Sequence, residues 1–254
     1  MKFMVILILT LLAGIPSCAL AQDMTRQYGA TVKVKVDTRG QVAYVGTPDR
    51  LPKILVPFVR HAIASWRFKP LNVNGHAASA TTWVRVTVKL MKQPDNHYGV
   101  KVVYDGNGPK WQENIWPDHM PEIPPRALRM GVSAVVMVGA TVEPDGTIDD
   151  VHLLKKKGHL IPLFMRSIRK AMSQLHAMPM LVNGKPIASH VTETFGFHAN
   201  VGGSSAPPHS AFPFGKKSSA PAWARRPSGQ LVATDSPLQR LDTTSYPGES
   251  AGSG

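Results

Sequence analysis

The phrase "PLNVNG" at Pro70–Gly75 returns as "PMLVNG" at Pro179–Gly184, 109 residues later in a chain of 254. The same offset aligns Leu51 with Leu160, Val59 with Ile168, Arg60 with Arg169 and Ala62 with Ala171. It also aligns Trp66 with Leu175, Val86 with Phe195 and Val88 with Phe197. Upstream, "VDTRGQV" (Val36–Val42) parallels "VEPDGTI" (Val142–Ile148) after a three-residue shift that a loop can absorb. An ordered series in one register argues for internal duplication, so the chain is expected to build one small unit twice.

Each copy reads as strand–strand–helix–strand. In "ATVKVKVD", Val32, Val34 and Val36 fall on one face and Lys33 and Lys35 on the other, the alternation of a half-buried strand. Thr38-Arg39-Gly40 and Pro144-Asp145-Gly146 are turn sequences, leading to second strands over Gln41–Gly46 and Thr147–Leu154. Helical spacing follows at Val59, Ala62, Ile63 and Trp66, and again at Met165, Ile168, Ala171, Met172 and Leu175. Pro70 and Pro179 stop the helices, and Asn-Gly turns the chain toward last strands at Thr81–Leu90 and Ile187–Phe197. The predicted class is α+β, with two tandem domains, each an antiparallel sheet of about three strands covered by one helix.

The predicted boundaries are a signal peptide over 1–21, a first domain over 22–92, a linker over 93–122, a second domain over 123–198 and a tail over 199–254. Met1-Lys2, an uncharged run from Phe3 to Ala21 and the closing Ala19-Leu20-Ala21 have the layout of a secretory signal, placing the mature chain in the periplasm. An uncleaved anchor is the rival, although Gly14 and Pro16 interrupt the run. A lipidated Cys18 is another, with Pro16 in an unusual place for it. In the linker, "YGVKVVYDGNG" reads as an extra strand, and Trp111 and Trp116 as aromatics packing one unit on the other. The tail is rich in Gly, Ser, Pro and Ala without period, and is expected to be disordered.

Charge is concentrated in the first copy. Asp23–Lys92 holds 12 Lys/Arg against 3 Asp/Glu, whereas Gln93–His198 holds 11 against 10. A basic first domain in an exported protein suits peptidoglycan or another anionic envelope surface; nucleic acid suits the charge but not the export signal. Cys18 is the only cysteine, so a mature chain cut after Ala21 has no disulfide or thiolate chemistry. The sequence lacks G-x-S-x-G, H-E-x-x-H, Walker and G-x-G-x-x-G patterns, and no enzyme, metal site or cofactor is predicted. His152 and His159 beside Lys155–Lys157 read as solvated, Asp145 as a hairpin residue, and Asp149 and Asp150 as surface acids. Glu193 shares the parity of Val191, Phe195 and Phe197, so it lies either at the sheet margin or against an Arg or Lys.

The run from "IPPRALRMG" through "VEPDGTI" to "PMLVNGKPIASHVTETFGF" resembles the TonB C-terminal domain over Ile123–Phe197. The shared features are the P-x-x-A start, Gly131 before the first strand, the Pro-Asp-Gly hairpin, the helix, and "NGKPI" leading into an aromatic last strand. A weaker copy covers Ala30–Leu90, where "SWRFKPLNVNG" is closer to the family than its counterpart, Leu175-His176-Ala177 replacing the usual W-x-F. Unlike TonB itself, the apolar N-terminus carries no His, and no Pro-rich spacer precedes the first copy. The resemblance implies an energy transducer in transmembrane transport whose last strand receives the box segment of an outer-membrane TonB-dependent transporter, or a segment of another periplasmic protein. By position it implies partner-binding roles for Ile187, His190, Val191, Thr192, Thr194, Phe195 and Phe197, and for Trp83 and Arg85 in the first copy. Trp83 is equally readable as core to the neighbouring unit. The alternative function is a structural or wall-binding protein without transport coupling.

Overall fold

The computed structural model describes residues 24–93, 97–112, 120–198 and 230–241. The signal segment, Trp116 and the tail on either side of 230–241 lie outside the described residues.

The first sheet grows from the valine alternation. Strand β1 (Met24–Val36) turns through Asp37, whose carboxylate accepts the main-chain N–H of Gln41 (2.8 Å) and Arg39 (2.9 Å). It returns as β2 (Val42–Val45). A single 3-10 turn at Lys53–Leu55 leads into α1 (Val56–Ala64), which lays Val59 and Ile63 on the sheet. The helix stops at Ala64, short of Trp66, and Trp66 and Phe68 enter the core from an extended segment. A hairpin, β3 (Leu71–Val73) and β4 (His76–Ala78), turns on Asn74-Gly75. Then β5 (Ala80–Lys92) runs antiparallel along β1, pairing Val36 with Ala80 and Val32 with Val84. Val32, Val34 and Val36 join Val84, Val86 and Val88 in the core, while Lys33 and Lys35 are exposed, as the alternation predicts.

The linker strand belongs to this sheet. β6 (Tyr98–Gly108) pairs with the other side of β5 over Trp83–Lys92. Instead of about three strands, the sheet has six, and its first unit extends well past Lys92. A short β7 (Lys110–Trp111) follows.

The second unit repeats the plan. After α2 (Pro125–Arg129), β8 (Ala134–Val142) and β9 (Ile148–Gly158) flank a hairpin in which Asp145 accepts the N–H (2.9 Å) and the hydroxyl (2.7 Å) of Thr147. Helix α3 (Ile161–Met172) buries Phe164, Met165, Ile168 and Met172. β10 (Ala177–Met178) pairs with β7, and a second Asn-Gly hairpin, β11 (Met180–Val182) and β12 (Lys185–Ile187), precedes β13 (Ser189–Phe197). In each unit the first long strand lies between the second and the last, giving orders β2-β1-β5 and β9-β8-β13.

Equivalent contacts recur in the two units, the hairpin residues 106 positions apart and the later ones 109. Phe68 N–H donates to Gly40 C=O and Ala177 N–H to Gly146 C=O, both at 2.8 Å. The hairpins close alike, Gly40 N–H on Asp37 C=O and Gly146 N–H on Glu143 C=O. The repeated phrase nonetheless has two fates. PLNVNG forms the largely exposed β3–β4 hairpin, whereas β11 pairs with the start of β5 (Leu181 with Thr81, Val182 with Ala80). Asn183 clamps this junction, its N–H on Ser79 C=O and its side-chain oxygen on Ser79 N–H, each at 2.9 Å. Met180 and Ile187 thereby pack in the first core, while Trp111 is buried in the second.

Candidate partner-binding edge

A strand can accept another only along an edge that is not already paired. β5, the first unit's last strand, has β1 on one side and β6 and β11 on the other, so it offers no free edge. The expectation of strand capture at Thr81–Leu90 is therefore overturned. Trp83 is buried with Lys33 over its ring, and Arg85 is 1% exposed, so neither can face a partner. Of the two readings of Trp83, burial favours core.

β13 differs. One side pairs with β8 along its whole length, Ser189 with Val142 through Phe197 with Ala134. Val191, Phe195 and Phe197 are core side chains, with Phe197 stacked 4.6 Å from the Phe164 ring. Thr194 is buried on the opposite face. Ile187 lies in the preceding hairpin and packs against the first core. His190 is exposed, its ring 3.1 Å from the Thr141 hydroxyl of β8, and Thr192 is half-buried with its hydroxyl on Val232 C=O, so these two alone of the set lie outside both cores without being fully buried. The residue set proposed from sequence thus mixes one edge with two cores, because alternation marks which side chains are buried and says nothing about which main-chain edge is open.

The outer edge of β13 holds a segment of this chain. β14 (Val232–Ala233) pairs antiparallel with it, Val191 opposite Ala233 and Thr192 opposite Val232. His190 N–H donates to both Asp235 carboxylate oxygens (2.9 and 3.0 Å), and His190 C=O accepts Thr234 N–H (2.8 Å). Leu231 is fully buried in the second core, and Leu238 in the first. Beyond them, Lys69 N–H donates to Gln239 C=O and Leu241 N–H to Arg67 C=O, at 2.8 and 2.9 Å. The Arg240 guanidinium sits 5.0 Å from the ring centres of both Trp66 and Tyr104. Asn107 donates to Leu238 C=O (2.9 Å) and accepts from Ser236. Expected disorder over 199–254 is therefore corrected for residues 230–241. The sequence signal was present: "QLVATDSPLQRL" places aliphatics within a stretch otherwise dominated by small and polar residues. Averaging composition over the whole tail hides it.

Glu193 belongs to the same seam. It is 1% exposed, accepts Gln230 N–H at 3.2 Å, and interacts electrostatically with Arg85. Arg85 donates to Trp83 C=O (2.6 Å) and to Pro109 C=O. Burial pulls its pKa down to about 10, with Glu193 opposing the shift. Burial also raises the Tyr104 phenol, against its hydrogen bond from Asn107 and the nearby Arg240 charge. His152 contacts Asp150, and His159 is exposed.

The edge presents main-chain hydrogen-bonding groups on a helix-covered antiparallel sheet, an architecture suited to holding an extended segment. Residues 120–199 match the family model of the Gram-negative bacterial TonB protein C-terminal, so a TonB C-terminal family domain is found in the second unit. This is a non-enzymatic, transport-coupling family of the Gram-negative cell envelope, whose C-terminal domains interact with outer-membrane transporters in general. No curated protein matches the chain. No helix among the described residues is long and apolar enough to cross a membrane.

Proposed function

We propose that this protein holds an extended segment of another envelope protein along β13 by strand addition, as a TonB-like element of energy-dependent transport. The favoured segment is the box of an outer-membrane TonB-dependent transporter, met on the periplasmic side. One observation carries the reading: the outer edge of β13 already accepts an antiparallel strand from a distant part of the chain. β5 has no such edge, so the second unit is the binding unit. The shared strand order and the matched Gly40–Phe68 and Gly146–Ala177 contacts support reading the units as tandem copies, of which the first serves as a platform.

Titrating a transporter box peptide into the mature protein, with chemical-shift mapping, tests this. Shifts should centre on His190–Phe197. Because main-chain bonds supply most of the affinity, Thr192→Pro, which removes a donor, should weaken binding more than Thr192→Ala. Retention on purified cell wall with no peptide binding would instead favour the structural role for the basic first unit.

A further inference from the structure

Residues 230–241 do more than fill space. They leave the second core at Leu231, pair with β13, cross the end of β6, and finish against Arg67–Lys69 of the first unit. β6 is shaped for that crossing. Gly106 and Gly108 have φ of +142° and +155°, and a Cβ there would lie 2.8 Å from a Val232 methyl and 2.7 Å from Ala233 N. Opposite them, Asn107 is buried and holds the main chain at Leu238. The cleft that this segment fills thus has a hydrophobic core at each end, a main-chain N–H at His190 bound to a carboxylate, and a Trp66–Tyr104 pair holding a cation.

We infer that residues 230–241 are a resident strand that competes with the partner for the β13 edge. The cleft reads an extended peptide with aliphatic side chains at the places of Leu231 and Leu238, an acid at that of Asp235 and a cation at that of Arg240. This rests on strand addition at β13 as the binding mode. Two strands cannot pair with the same side of His190–Thr192, so a partner either displaces the segment or stops short of it. A covalently attached competitor acts at an effective concentration set by its connection, and lowers the apparent affinity of a free peptide accordingly. It also covers an exposed edge that would otherwise invite self-association.

The test compares the mature full-length protein with its Asp235→Ala/Arg240→Ala variant. Both changes lie outside the two cores, and unchanged circular dichroism confirms the fold. Hydrogen exchange at the His190 amide reports the resident strand directly: it should be protected in the wild type and exchange about tenfold faster in the variant. A labelled synthetic peptide of residues 229–242 should bind the variant about tenfold more tightly than the wild type, and a transporter box peptide should show the same preference. If the box peptide binds both proteins equally while His190 stays protected, the resident strand is no competitor, although strand addition elsewhere on β13 survives. If the 229–242 peptide shows the preference but the box peptide binds neither protein, the cleft and its resident strand stand and the transporter reading falls. An unprotected His190 amide in the wild type overturns the inference outright.

Discussion

Arg85 and Glu193 are opposite charges, each 1% exposed, and their energetics can be worked from the structure. Burial pulls the Arg85 pKa well below its usual value, to about 10, even with Glu193 opposing the shift. Buried opposite charges of this kind contribute little net stability, because desolvation offsets their attraction. Removing one member is costly, because the survivor stays buried. Glu193→Gln leaves the guanidinium without its countercharge, and Arg85→Met leaves a buried carboxylate; each should lose about 3–5 kcal/mol. Replacing both removes the two desolvation penalties together, so Arg85→Met/Glu193→Gln should come within about 1 kcal/mol of wild type or exceed it. Urea denaturation of the four proteins closes a double-mutant cycle, with an expected coupling of at least about 2 kcal/mol. Additive single losses below about 1 kcal/mol would refute the reasoning. They would mean that water reaches Arg85 and Glu193 in solution.

Two further outcomes follow from the turns. Gly40→Ala should destabilise by several-fold more than Gly75→Ala: both sites have positive φ, but a Cβ at Gly40 would lie 2.0 Å from Phe68 C=O while Gly75 has open space. Left-handed strain of about 1–2 kcal/mol is common to both, and thermal melts separate the added clash. Asp37 is held below its usual 3.8 chiefly by the Gln41 N–H, and Asp145 chiefly by the Thr147 hydroxyl. Folded values lower than unfolded ones mean that this stability is present above pH 3.8 and is lost as pH falls through the folded values. Carboxyl NMR titration should find both below 3.8, and Gln41→Pro, which deletes the donor N–H, should raise Asp37.

Much of the architecture was legible because the signals were local. Alternation placed Val32, Val34 and Val36 inside and Lys33 and Lys35 outside, and Asn-Gly marked both late hairpins. The helix-covered β-β-α-β order followed from spacing alone. What spacing could not carry was pairing between distant segments. "YGVKVVYDGNG" announces a strand, yet nothing in it says that β5 is its partner. "PMLVNG" announces a hairpin identical in kind to "PLNVNG", yet only one of them docks on a neighbour. Glu193 was recognisable as an anomaly, since a carboxylate in a buried parity needs a partner. Naming Arg85 required the fold, because the two residues lie on different sheets and 108 positions apart.

The site itself was only half legible, for a reason that bears on how the protein works. Family resemblance indicates a last strand, and both copies have one. Exclusion comes from segments outside the two β-β-α-β units: β6 and β11 close the first unit's last strand, while β14 and its flanks meet only His190–Thr192 of the second's. These segments therefore act in opposite senses. Those on β5 pair with it nearly end to end, β11 at Ala80 and Thr81 and β6 over Trp83–Lys92, and cannot come away without unfolding the sheet. The one on β13 is held by two paired residues, a few hydrogen bonds, two leucines and the Arg240 cation, a smaller set that the proposed competition requires to open locally. With the first unit's last strand closed by β6 and β11 and the second's covered by β14 alone, the proposed strand addition has one edge to use. On the proposed reading, that asymmetry in pairing decides which of the two units takes the partner strand.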